Sequence, residues 1–129
     1  MERIVILFFR RVASRKVSPK ANFRLEIKHG VAIGPGKAEL LGHIAELGSI
    51  SAAGKAMGMS YRTAWGLVQS MNELFKKPLV VVIKGGASGG GASLTSLGAE
   101  VLARYRAMQA RALKAVADDV AYFESIIHR

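Results

Sequence analysis

Arg62 and Gln69 carry the two side-chain groups best matched to base edges in duplex DNA. A guanidinium offers a fork of donors to O6 and N7 of guanine. A primary amide pairs one donor and one acceptor with N6 and N7 of adenine. Seven residues apart, at about 100° per residue, they share one face of a helix. Gly66 lies between them on that face and would let the backbone seat close to a groove floor. Tyr61, Thr63 and Trp65 flank them with hydroxyl and aromatic groups suited to phosphate or thymine-methyl contacts. An aromatic at a face boundary is as often core as contact, which applies to Trp65. Ser51, Lys55, Lys84 and Ser88 are expected at phosphates, where a contact sets position rather than sequence.

The elements that must hold these groups are read from GSISAAGKAMGMSYRTAWGLVQSMNEL, Gly48 to Leu74. Ser51 is expected to N-cap a short helix, Ala52 to Met57, by accepting from an unpaired backbone N–H. Gly58 supplies a positive φ to end it, and Ser60 is placed to cap a second helix starting at Tyr61. Ala64, Leu67, Val68, Met71, Leu74 and Phe75 fall on one face of that second helix. Arg62, Gly66, Gln69 and Glu73 fall on the other. A short helix, a glycine turn and a longer helix with cationic, amide and aromatic groups outward is a helix-turn-helix, whose second helix enters the major groove. The competing reading is an ordinary helical hairpin with a solvated outer face.

Charge favours the first. In a chain of 129 residues, enough for one domain with a real core, the formal net charge is +10. An excess of that size favours a polyanionic partner. From Ser49 to Ala99 Glu73 is the only acid, against Lys55, Arg62, Lys76, Lys77 and Lys84. The chain has no cysteine, hence no disulfide, thiolate nucleophile or cysteine zinc site, which fits a reducing cytoplasm. His29, His43 and His128 lie in different elements, so no metal is expected. No convergent nucleophile or acid–base pair is evident, so neither an enzyme nor a cofactor is expected. No run approaches the roughly 20 apolar residues of a membrane span.

Met1 to Ala21 joins an apolar run, IVILFF, to Arg10, Arg11, Arg15, Lys16 and Lys20, and is expected to be a basic extension with little fixed structure. Phe23, Leu25 and Ile27 alternate with Arg24, Glu26 and Lys28 as a half-buried strand. His29-Gly30 turns the chain and Val31 to Ile33 returns. After Gly34-Pro35-Gly36, Lys37 to Leu47 reads as a helix with Leu40, Leu41, Ile44 and Leu47 inward. The GPGK there lacks the first glycine and the Ser/Thr of a phosphate loop. Pro78 closes the central helices, and the β-branched Leu79 to Lys84 reads as a strand. Gly85 to Gly91 is a glycine-rich tip, followed by Ala92 to Leu94 as the return. Beside a candidate recognition helix, this hairpin is the wing of a winged helix. Thr95 caps a last helix, Ser96 to Ile127, roughly 48 Å long. Its apolar stripe, Leu97, Val101, Tyr105, Met108, Ala112, Val116, Val120, Phe123 and Ile127, outruns the domain, so a second copy is expected to cover it.

The fold expected is α+β, mainly α: a winged helix-turn-helix over residues 22–95 with an N-terminal β-hairpin, then a long C-terminal dimerisation helix over 96–127. The block from Gly34 to roughly Met108 resembles the N-terminal DNA-binding domain of the molybdate-responsive regulator family, ModE, a LysR-type winged helix-turn-helix group. The residues that carry the resemblance are GPGKAELL, then GSISAAGKAMGMSYRTAWGLVQSMN, the GGASGGGASLT wing and LTSLGAEVL. It implies a homodimer on double-stranded DNA, with Ser60 to Gln69 in the major groove and the wing along the backbone. In full-length members molybdate-binding domains follow the last helix, and this chain ends at Arg129. A regulator without an effector domain or small-molecule ligand is therefore expected. The rival expectation is an accessory winged-helix dimer that binds protein rather than a DNA sequence.

Overall fold

A computed structural model describes residues 19–27, 30–84 and 91–128. The chain divides after Met108: residues 22–108 form one compact unit, and those from Gln109 onward belong to another. The fold is a mainly α winged helix-turn-helix. In chain order it runs β1 (Leu25–Ile27), β2 (Gly30–Ile33), α1 (Pro35–Leu47), α2 (Ile50–Ala56), α3 (Tyr61–Leu74), β3 (Val80–Ile83), β4 (Gly91–Leu94), α4 (Ser96–Ala115) and α5 (Ala117–Ile126). The strands form two antiparallel pairs, β1 with β2 and β3 with β4.

α1 starts at Pro35, whose fixed φ and missing N–H suit the first helical position, where that donor would have no partner. It ends at Gly48, at φ 70°, the left-handed turn glycine adopts without a Cβ penalty. Leu40, Leu41 and Ile44 are wholly buried, a burial worth about 5–9 kcal/mol in all. Leu47, expected to face inward with them, is 49% exposed because it occupies the last turn, beyond the body it would pack on. Ile33 of β2, Ala38 of α1, Ile50 and Ala53 of α2, Ala64, Val68 and Met71 of α3, Leu79, Val80 and Ala92 at the hairpin, and Leu102 and Tyr105 of α4 complete the core. No charged or polar residue is buried among the described residues.

β1 departs from the half-buried strand expected. Phe23 packs on the core, its ring centroid 5.4 Å from that of Tyr105, and its carbonyl accepts the Tyr105 hydroxyl at 2.6 Å. Leu25 and Ile27 are nevertheless 39% and 56% exposed. The pairing register slips between Leu25 and Glu26, a bulge that turns the strand, and the body does not reach its outer end. Leu25 and Ile27 instead edge an apolar groove of about 240 Å³ that also takes in Phe75, Val101 and Met108. Lys28 of the expected strand and His29 of the expected turn lie outside the described residues, as do residues 1–18 of the N-terminal extension.

The long last helix is two. Val116, at φ −105° and ψ 17°, leaves α geometry, although its N–H still reaches the Ala112 carbonyl and its own carbonyl accepts from Val120. Asp118 and Asp119 then stand in the first turn of α5, where carboxylates stabilise a helix start through its dipole. In this second unit Val116, Tyr122, Phe123, Ile126 and Ile127 are exposed, so Val116, Phe123 and Ile127 of the apolar stripe meet solvent, while Val120 between them is half-buried.

Candidate nucleic-acid interface

The turn between α2 and α3 is built from backbone bonds. Met59 N–H reaches the Gly54 carbonyl at 2.9 Å, and Gly58 N–H reaches Lys55 at 3.1 Å. These are the paired closures of a Schellman end, with Gly58 at φ 69° in the left-handed position. Gly54 sets the distance between the helices. A Cβ there would stand 2.9 Å from the Ala64 Cβ, closer than carbon atoms pack. Two small residues, Gly54 and Ala64, at this crossing let α3 lie directly on α2, with its other face turned out.

Ser49, and not Ser51, caps α2, its hydroxyl accepting from Ala52 N–H at 3.1 Å. The physical reason is Ile50, 5% exposed: burying it draws it into the first turn, so the serine before it becomes the boundary. Ser51 is left exposed, with no capping duty. Ser60 caps α3 as expected, accepting from Thr63 N–H at 3.1 Å. Its hydroxyl also shares a hydrogen bond with the Thr63 hydroxyl at 3.0 Å.

Arg62, Thr63, Gly66 and Gln69 are all exposed on α3. Among the described residues Arg62 joins no ion pair. Nothing lies within 4 Å of where a Gly66 Cβ would be. Trp65 is half-buried against the core, and its ring stacks near-parallel with Tyr61, centroids 6.4 Å apart and planes 13° from parallel. Lys55 on α2 and Lys84 after β3 are exposed cations. Ser88 lies outside the described residues with the rest of the tip, Gly85 to Gly90.

The root of the wing is fixed to α3 by a residue the sequence reading passed over. The Asn72 side-chain oxygen accepts from Leu79 N–H at 2.8 Å and Val80 N–H at 3.1 Å, and its amide nitrogen donates to the Val80 carbonyl at 3.0 Å. A lone asparagine near a helix end carries no periodic signal. β4 is fixed to α1, with Ala92 N–H on the Gly48 carbonyl at 2.9 Å. Thr95 closes the hairpin onto α4, donating its hydroxyl to the Pro78 carbonyl at 2.7 Å and accepting Gly98 N–H at 2.9 Å. Ser51, Tyr61, Val82 and Gly91 consequently line one cleft of about 190 Å³ between the hairpin and the start of α3. The start of α3 and the wing therefore share a side of this unit.

Among the described residues no His, Cys, Asp and Glu group could hold a metal ion. No described helix is long and apolar enough to cross a membrane.

Residues 37–99 match the bacterial regulatory helix-turn-helix proteins of the lysR family. The molybdenum-pterin-binding protein MopB of Rhodobacter capsulatus is 44% identical over 85 residues, 66% of this chain and 32% of that protein. The molybdenum transport protein ModE of Azotobacter vinelandii is 39% identical over 89 residues, 69% of this chain and 33% of that one. This region is a ModE-like, LysR-type DNA-binding domain. The DNA-binding transcriptional dual regulator ModE of Escherichia coli K12 is 37% identical over 98 residues, 74% of this chain and 37% of that regulator. The chain thus spans about a third of the length of these relatives. The family match takes in most of α1, then α2, α3, the wing and the opening of α4, the parts of the ModE-like domain that build the exposed face.

Proposed function

We propose that the chain acts as a transcriptional regulator in the cytoplasm, binding a specific double-stranded DNA sequence as a homodimer. The observation that carries the reading is the position of Arg62, Gly66 and Gln69. They stand on the exposed face of a helix held out by the Gly54–Ala64 contact, beside a wing tied to the same helix. Arg62 reads guanine and Gln69 adenine. Thr63 donates to a phosphate or meets a thymine methyl. Ser51, Lys55, Lys84 and Ser88 position the backbone, and Ser60 contributes by setting the first turn of α3. The exposed Val116, Tyr122, Phe123, Ile126 and Ile127 support a second copy as the partner of the C-terminal helices, since a contiguous wet apolar stripe marks an interface.

Selection of duplexes from a random pool tests the reading, with a two-fold symmetric consensus expected. On that consensus Arg62→Ala lowers affinity by about 1–3 kcal/mol and relaxes one position, while Lys84→Ala weakens every sequence alike. No enrichment, or equal small losses from both variants, would refute helix-in-groove readout. Val81 and Ile83, exposed together on the outer face of the wing, favour a second reading in which the wing meets a protein. Salt separates the two, because phosphate contacts weaken steeply with salt and apolar ones do not.

A further inference from the structure

The cleft between the wing and the start of α3 has walls of mixed chemistry. Val82, Ile50 and Ala92 are apolar, Ser51 and Tyr61 bring hydroxyls, and no charged side chain lines it among the described residues. At about 190 Å³ it is below the roughly 300–1,000 Å³ of a small-molecule pocket. Apolar walls with neutral donors at the rim match a deoxyribose and its phosphate. Tyr61 is 57% exposed, and among the described residues its hydroxyl makes no hydrogen bond. Its ring is nevertheless not free to sweep. It lies against Trp65, 13° from parallel, and Trp65 is itself anchored in the core.

We infer that Tyr61 is a neutral clamp on one DNA backbone phosphate at this cleft, and that Trp65 is the positioning residue that holds the phenol there. The inference rests on the DNA-binding reading above and deepens it. Because the donor is uncharged, the contact releases no counterion, unlike a lysine or arginine contact. Because it is made to a phosphate, it carries no sequence information. Because the ring is held by its stack before binding, little side-chain freedom is lost on contact. The face of α3 thus divides its work: Arg62 and Gln69 read bases, while Tyr61 fixes the angle at which they enter.

The experiment titrates the full chain onto a selected duplex and onto a scrambled duplex of equal length, over a range of salt. Tyr61→Phe keeps the ring and removes the donor. It is expected to weaken both duplexes by the same factor, about ten-fold, with the slope of log affinity against log salt unchanged. Trp65→Leu is expected to reproduce that loss without adding to it in the double variant, and Trp65→Phe, which keeps a ring to stack on, to recover most of the affinity. Unfolding midpoints show that each variant folds, and Tyr61→Phe, an exposed change, keeps the test valid if a Trp65 variant does not. Unchanged affinity in Tyr61→Phe overturns the inference and leaves the DNA reading standing, as does a loss confined to the selected duplex, which would make Tyr61 a base contact. A shallower salt slope in that variant overturns the neutral clamp. Wild-type binding that ignores salt overturns both readings together.

Discussion

Replacing Asn72 by alanine removes the acceptor for Leu79 N–H and Val80 N–H and the donor to the Val80 carbonyl. Leu79 and Val80 are 0% and 2% exposed, so water cannot readily take over. Each lost bond is worth about 0.5–1.5 kcal/mol net, and a buried group left without a partner costs about 1–3 kcal/mol. These terms overlap, and the expected loss is about 3 kcal/mol, a large part of a typical stability of roughly 5–15 kcal/mol. In urea the midpoint should fall by about 1–2 M at constant slope, followed by circular dichroism. Asn72→Asp is the informative control. It keeps the acceptor shared by both N–H groups and loses only the donor, facing a carbonyl with a charge instead, so its cost should be about half. The same variants should weaken DNA binding beyond what their unfolded fraction explains, because the wing loses its tie to α3. An alanine variant losing less than about 1 kcal/mol, or an aspartate variant as damaged as the alanine one, would refute this account of the wing root.

Gly66→Ala separates folding from binding: with open space around the new methyl and a helix interior that prefers alanine, it should stabilise the fold by about 0.5–1 kcal/mol, while lowering affinity for selected DNA; a rise or no change in affinity would deny close seating. Gly98→Ala places a Cβ against the Leu79 carbonyl oxygen, and the backbone shift it forces should cost about 1–3 kcal/mol in unfolding experiments. Burial pushes the Tyr105 phenol above its ordinary value of 10.0. A folded value above the unfolded one means stability that is whole below pH 10 and lost as pH rises through the folded value. Tyr105→Phe should therefore be less stable at neutral pH, having lost the bond to Phe23, and should lose less on going to alkali in a pH series of melts.

The helix-turn-helix was legible because its signals are local. A capping serine at Ser60, a positive-φ glycine at Gly58 and the spacing of Ala64, Val68 and Met71 each act within a few residues. The cap of α2 was misplaced by two residues because Ser49 and Ser51 are equally good acceptors, and the choice was made by burial of Ile50, a tertiary fact. Alternation at Phe23, Leu25 and Ile27 tells which side chains share a face, not what covers it, and only Phe23 is covered. The interruption at Val116 replaces no apolar position with a polar one, so the stripe reads through it. Leu102, off the stripe drawn through Val101 and Tyr105, is buried at 6% exposure because the body wraps further round α4 than a single line of residues. Asn72 and Gly98 act on backbone atoms at the root of the hairpin, outside their own helices, and no pattern within one element announces that.

The hairpin is pinned at both feet, by Asn72 to α3 and by Gly48 to α1, and neither anchor involves the residues between Lys84 and Gly91. Added residues between the two feet cost little where they bring no structure of their own, since each doubling of a loop's length adds only about 0.6 kcal/mol of closure entropy. If α3 enters a groove as proposed, reach and aim are separate traits: insertions or deletions between the two feet would change how much DNA backbone the wing embraces without altering how α3 is set on the body.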